Sequence, residues 1–129
     1  MLLFKQKFIE KIKSGTKIQT IRLWRYCRMK PGQRSYVPGV GYICIDSIER
    51  VELAQLTDDD AVLDGFPTAD LLREEIYTLY GIDALKKLRA YKIQFSVLPP
   101  NIQQAITEEQ NEKREAKKKR RLFRRFDFT

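Results

Sequence analysis

Residues 15–22, Gly-Thr-Lys-Ile-Gln-Thr-Ile-Arg, bring an amine, hydroxyls and a guanidinium into one short stretch. A hydroxyl, a guanidinium and an indole in a row on one face of a strand are unusual for a core and would suit a pocket. Arg22 can bind a phosphate or a base edge, and Trp24 can stack on a base. The alternative is structural, with Trp24 in the core and Arg22 paired with an acid from the middle of the chain.

Histidine is missing from the sequence, which has two cysteines, Cys27 and Cys44. This composition excludes Ser-His-Asp and Cys-His catalysis within the chain and the usual four-ligand structural zinc site. Any catalysis must therefore use Lys, Thr, Tyr, Cys or carboxylates. We expect no metal and no cofactor, and a reducing compartment in which the cysteines are not paired.

The charges are unevenly distributed along the 129 residues, whose net charge is +8. Residues 1–34 contain ten Lys or Arg and one acid, whereas residues 49–83 contain two basic and ten acidic residues. Residues 111–129 contain nine basic and three acidic residues. Because such basic surfaces attract polyanions, we predict RNA or another nucleic acid as the partner, with phosphate contacts from Arg25 and Arg28.

A double proline at residues 99–100 follows the last alternating segment and ends the folded part. We predict one domain over residues 1–100 and a basic tail over residues 101–129. The tail is polar almost all round, so it is either an exposed helix or disordered. Its basic residues would add salt-sensitive, sequence-independent phosphate affinity, and the alternative is a tail that only solubilises the protein. The tail residues predicted to bind nucleic acid are Lys118, Arg120 and Arg121.

Apolar periodicity predicts the elements that position residues 15–22. A helix over residues 7–14 ends at Gly15, and a strand follows over residues 17–24. Because alternate strand residues point to opposite faces, Lys17 and Thr20 converge only if Lys17 precedes the strand or a bulge intervenes. The remaining predicted strands lie at 2–4, 34–37, 42–48 and 91–98, and the strand at 42–48 can continue over 51–56 after a bend. Two further helices begin after the capping residues Thr57 and Thr68, and they end near residues 64–65 and at Gly81.

The order of these elements resembles the ASCH domain, a PUA-like family of small barrels thought to bind RNA. The family pattern Gly-x-Lys-x-x-x-x-Arg appears as Gly15, Lys17 and Arg22, and an acid-Gly-Phe turn appears at residues 64–66. The resemblance covers roughly residues 1–98. It implies an α+β fold, a small PUA-like mixed β-barrel of about five or six strands with flanking helices. It also implies an RNA-facing cleft with Lys17 and Arg22 at its mouth or floor.

Some bacterial ASCH members are amidohydrolases that deacetylate N4-acetylcytidine with a Lys, a Thr and a Glu. In this sequence Lys17 and Thr20 match the first two, and Asp64 is the candidate for the third, one side-chain carbon shorter than Glu. The resemblance therefore implies a modified nucleoside as an alternative ligand, with Asp64 positioning water or protonating a leaving amine. The structural alternative for Asp64 is a turn residue beside a glycine.

RNA binding is the function that we expect, with a basic cleft recognising a nucleotide through Lys17, Arg22 and Trp24. The alternatives are the amidohydrolase, DNA binding, and a protein-interaction module whose acidic residues 49–83 bind a basic partner. No stretch of ~20 apolar residues is present, and charge interrupts the N-terminus too early for a signal peptide. We therefore expect a cytoplasmic protein with no membrane partner. The sequence does not determine the oligomeric state, for which a monomer is our expectation.

Overall fold

The computed structural model describes residues 2–126, and the chain divides into two compact units, residues 1–97 and residues 98–129. The first unit contains four strands and four α-helices among its described residues. The elements in chain order are α1 (Gln6–Lys13), β1 (Gln19–Trp24), β2 (Arg34–Val37), β3 (Gly41–Val51), a 3-10 turn (Leu53–Gln55), α2 (Asp58–Leu63), α3 (Ala69–Tyr80), α4 (Ile82–Lys87), β4 (Arg89–Val97) and, in the second unit, α5 (Pro100–Phe126).

The strands form one sheet in the order β1-β4-β3-β2, and every neighbouring pair is antiparallel. The register between β3 and β4 shifts between Ile45 and Ser47, which marks a bulge. A bulge bends a strand and increases its twist, so it helps to curl the sheet. The expected α+β class is therefore confirmed.

The described residues form four strands rather than about five or six. The strand predicted at residues 2–4 is absent, because Leu2 donates its backbone N–H to Ser35 Oγ at 3.2 Å instead of to a strand ladder. The strand predicted at 42–48 lies within β3, whereas the continuation over 51–56 is a 3-10 turn after Val51. A backbone N–H can be satisfied by a side-chain acceptor as well as by a neighbouring strand. Alternation in the sequence does not show which of the two partners is used.

Two apolar clusters hold the first unit together. One joins α1 to the sheet, with Ile43 and Ile93 among its fully buried residues. The other packs α2 and α3 with β1, around Ile21 and Leu72. Phe66 contacts both clusters, so the turn over residues 64–66 is held where they meet.

The helix boundaries follow the signals in the sequence. Thr57 accepts a hydrogen bond from Asp60 N at 3.2 Å, and the Asp60 carboxylate accepts one from Thr57 N at 3.0 Å, which is a capping box. Thr68 caps α3 through the backbone N–H of Leu71, and Gly15 follows α1 with a φ of +80°. The predicted ends of these helices are confirmed, and α2 ends at Leu63 with Asp64 as its C-cap.

The second unit is described as one helix, α5, whose side chains are all exposed from residue 107 to residue 124. Of the two states predicted for the tail, the structure has the exposed helix. The last predicted tail residues, 127–129, lie outside the described residues. Across residues 2–126, no helix has both the length and the apolar character that crossing a bilayer requires.

Candidate functional site

A cleft of about 270 Å³ opens in the first unit between the N-terminal segment, β1, the turn at residues 64–66 and α3. Most of its wall is apolar, and its polar groups come from all four of these segments. The apolar lining residues include Phe4, Phe8, Phe66, Leu72, Ile76, Leu79 and Tyr80, and the polar ones are Lys5, Lys17, Thr20, Arg22, Asp64 and Glu75. An apolar cavity with a few convergent polar groups is typical of a small-molecule site.

The backbone around Lys17 brings its side chain to the cleft. Lys17 donates its N–H to Lys11 O at the end of α1, and Ile18 donates its own to Leu63 O at the end of α2, both at 2.9 Å. Lys17 therefore precedes β1, and the alternation of strand residues does not force it away from Thr20. Because Leu63 adjoins Asp64, the same bonds place the side chains of residues 17 and 64 side by side.

Lys17 and Asp64 form a buried ion pair, and each is 3% exposed. Lys17 Nζ donates to Asp64 Oδ1 and also to the Asp64 backbone oxygen at 2.6 Å. The ammonium lies 4.8 Å from the centre of the Phe8 ring, within range of a cation–π contact. Asp64 Oδ2 is buried and makes no hydrogen bond of normal geometry with the described residues, although the Gln19 side chain lies close enough to favour the charged carboxylate and lower its pKa. An unsatisfied buried carboxylate oxygen costs stability, which favours a functional role for the pair.

Burial shifts the pKa of both members of this pair. It lowers the pKa of Lys17, and the attraction of Asp64 only partly opposes that shift. It raises the pKa of Asp64, against the effect of Lys17. The neutral amine of Lys17 and the protonated acid of Asp64 therefore each cost less free energy to form than they do in water. Groups of this kind are suited to proton transfer.

Arg22 is fixed by three contacts beside this pair. Its Nε donates to Thr20 Oγ1 at 3.0 Å, and its Nη2 donates to Leu3 O at 2.7 Å. Its guanidinium carbon lies 4.8 Å from the centre of the Phe4 ring. Within the described residues Arg22 forms no direct ion pair, so the structural alternative for Arg22 is met only by the attraction between its guanidinium and the nearby Asp64 carboxylate.

The structure brings together four of the residues singled out in the sequence and separates the others. Lys17, Thr20, Arg22 and Asp64 line the cleft. Trp24 does not line it: its ring packs at 5.9 Å from the ring of Tyr91 and against the cluster around α1. The remaining predicted nucleic-acid contacts are exposed and are not among the lining residues, namely Arg25 and Arg28 in the first unit and Lys118, Arg120 and Arg121 on α5.

Sequence reasoning missed several residues of the cleft. Glu75 on α3 lies 3.2 Å from Lys5 Nζ and 3.0 Å from Lys7 Nζ, both measured to its Oε1 atom. These hydrogen bonds, the one from Lys7 above all, lower the pKa of the Glu75 carboxyl. The phenylalanine walls were missed as well, since Phe4 and Phe8 have the character of ordinary core residues. The local pattern carries no signal for a contact that joins residues 70 positions apart.

No family model and no curated protein matches the sequence. Solved structures with a similar fold include the hypothetical protein PH0355, which is 19% identical and aligns over 74% of this chain and 95% of its own with a TM-score of 0.63. An ASCH domain from Lactobacillus crispatus JV V101 is 16% identical over 69% of each chain, with a TM-score of 0.60. Protein EF3133 from Enterococcus faecalis V583, of the DUF984 family, is 15% identical over 71% of this chain and 70% of its own, with a TM-score of 0.59. The fold expected from the resemblance to ASCH domains is thereby confirmed.

Proposed function

We propose that this protein binds RNA and that its cleft receives one unstacked nucleobase. The observation that carries the proposal is the convergence of Lys17, Thr20, Arg22 and Asp64 on one cavity of about 270 Å³ with phenylalanine walls. Sequence-specific RNA binding usually targets single-stranded bases, which are stacked on aromatic groups and hydrogen-bonded at their edges. Apolar walls suit the faces of a base, and the polar groups suit its edge.

Arg22 is the residue best placed to read that edge. A guanidinium has five N–H donors, and among the described residues two of them are used, by Thr20 and Leu3. The others remain for a ligand, and the two contacts already made hold the planar group in one orientation. A preorganised donor loses little entropy on binding, so Arg22 contributes selectivity as well as affinity.

General affinity for phosphates has a different source in this proposal. The cleft lining is nearly balanced in charge, with Lys5, Lys17 and Arg22 against Asp64 and Glu75. The basic residues of α5 and the exposed Arg25 and Arg28 supply the attraction to the RNA backbone. The likeness in fold to an ASCH domain, a family thought to bind RNA, supports the same assignment.

Replacing Arg22 with Ala should reduce discrimination between bases by about 1–3 kcal/mol, because a base edge loses its charged donor. The measurement is the affinity for a panel of short single-stranded RNAs that differ at one position, with duplex DNA as competitor at physiological salt. Arg25→Ala is the matched control and should weaken all sequences equally. If Arg22→Ala leaves both affinity and selectivity intact, the cleft does not read a base; if the duplex DNA competes best, the nucleic acid is DNA.

A contact at Thr20 favours a second function, hydrolysis of an acylated amine on a nucleobase. Arg22 Nε donates to Thr20 Oγ1, so its positive charge lowers the cost of deprotonating that hydroxyl. Lys17 would take the hydroxyl proton while that oxygen bonds to the acyl carbon. The resulting ammonium would return the proton to the leaving amine, and water would then release the carboxylic acid from Thr20. Asp64 would hold Lys17 in place.

The hydrolytic function predicts that N4-acetylcytidine yields cytidine and acetate with the purified protein. Thr20→Val and Lys17→Ala should abolish release, whereas Thr20→Ser, the matched control, should retain it. The rate should rise with pH and level off above the lowered pKa of Lys17, because the neutral amine is the base. Absence of turnover at every pH would remove this function and leave the binding proposal standing.

A further inference from the structure

Two lysines and a glutamate form a cluster at the mouth of the cleft. Lys5 and Glu75 both line the cleft, and Lys7 lies beside them on the first turn of α1. The ammonium groups of both lysines contact the same carboxylate oxygen, Glu75 Oε1, at 3.2 and 3.0 Å. This cluster belongs to none of the interactions that the base or the hydrolytic residues require.

The two lysines are arranged as in an anion-binding site, and the Glu75 carboxylate takes the place of the anion. The two ammonium groups converge on one oxygen, as they would on an oxygen of a phosphate. Helix α1 begins at this point without a side-chain cap and without an acidic residue in its first turn, so its N-terminal dipole adds positive potential. The carboxylate of Glu75 is 18% exposed, whereas the side chains of Lys5 and Lys7 are 48% and 54% exposed. The lysines can therefore turn to an incoming anion.

We propose that Lys5 and Lys7 bind a phosphate group of the nucleotide whose base occupies the cleft, and that Glu75 occupies this position when the cleft is empty. The inference rests on the proposed function and adds a ligand class to it: a nucleotide rather than a nucleoside. The phosphate comes either from an RNA chain or from a free mononucleotide, and both present the same anionic oxygens. Glu75 competes with that phosphate and so determines how much more tightly a phosphate-bearing ligand binds than a neutral one.

The test compares the four ribonucleosides, their 5′-monophosphates and a short single-stranded RNA by calorimetry with the full-length protein. For the base that fits, the monophosphate should bind about tenfold tighter than the nucleoside, as expected for charge-assisted hydrogen bonds to two ammonium groups. Lys5→Gln combined with Lys7→Gln should remove that difference. Glu75→Gln, which keeps the size of the side chain, should tighten phosphate-bearing ligands several-fold relative to the matching nucleosides.

The exposed pair of Glu10 and Lys13 on α1, 3.8 Å apart, provides the matched control. Glu10→Gln and Lys13→Gln should change neither ligand class. Tightening of the mononucleotide alone by Glu75→Gln supports a terminal phosphate, and tightening of the RNA supports a phosphodiester. If nucleoside and nucleotide bind with equal affinity, and Glu75→Gln does not change this, the phosphate-site proposal is wrong. The base-cleft proposal still stands in that case, because the nucleoside binds. If no nucleoside, nucleotide or RNA binds, both proposals fail.

Discussion

Replacing Lys17 with Met should lower the free energy of unfolding by about 3–5 kcal/mol. The substitution keeps an unbranched chain of similar volume but leaves the Asp64 carboxylate buried without its cation. Asp64→Leu should cost a similar amount, since it leaves the ammonium without its acceptor. Urea unfolding followed by the fluorescence of Trp24, the one tryptophan in the sequence, measures both.

The double variant Lys17→Met with Asp64→Leu should be close to the original protein in stability, or above it. Removing both charges removes the desolvation penalty that each carries in the folded state. The exposed pair of Glu10 and Lys13 serves as the control, and breaking it should cost under about 1 kcal/mol. Small, additive effects of the two single substitutions would mean that the pair is not buried in solution.

The double variant also separates stability from function. If the ion pair is kept for ligand recognition, the folded double variant should lose base selectivity despite its restored stability. A double variant that is stable and still selects its base would show that Lys17 and Asp64 are structural. The cleft would then depend on Arg22 and its apolar walls alone.

Deleting residues 111–129 should weaken binding to all single-stranded RNAs equally and flatten its dependence on salt. The segment carries nine basic and three acidic residues. If about six phosphates are neutralised, the log–log slope changes by about 4, since each contributes about 0.7 for a single strand. Between 50 and 200 mM salt the intact protein should then lose roughly 300-fold more affinity than the truncated one.

Base selectivity should survive that deletion, because the residues that line the cleft all belong to the first unit. Arg22→Ala is the complementary control and should leave the salt slope within about one unit of the original. An unchanged slope after deletion would show that the tail does not contact phosphates. If the truncated protein still binds a basic protein, and the protein does not bind RNA, the result would favour a protein-interaction module whose acidic residues 49–83 form the binding surface.

Much of the fold could be predicted from the sequence because its signals are local. The helix that begins after Thr57 and the glycine after α1 depend on capping chemistry within a few residues. The alternation from Tyr91 to Val97 lies within β4. The strand count was wrong because residues 2–4 are anchored by distant side chains, including Ser35 Oγ. Such contacts depend on tertiary structure and leave no periodic pattern.

The site residues that lie in a short sequence motif could be predicted from residue type and spacing. The contacts that depend on tertiary packing could not. Lys17, Thr20 and Arg22 come from one motif, and Asp64 from a short turn. The close fit of that turn was not visible: Gly65 has a φ of +88°, and a Cβ there would lie 3.3 Å from Lys11 Cδ. Trp24 shows the opposite case, since alternation places it in line with Arg22 while its bulk packs beside Tyr91.

The most direct test of the central claim is a titration of the full-length protein with single ribonucleosides, followed by amide chemical shifts in NMR spectra. A nucleoside has no phosphate, so it reports on the cleft and not on the basic tail. We predict that for at least one base the shifts concentrate at residues 17–22, 64–66 and 72–80, and that Arg22→Ala abolishes them. Shifts confined to other surfaces, or none for any base at millimolar concentration, would contradict the claim that this cavity receives a nucleobase.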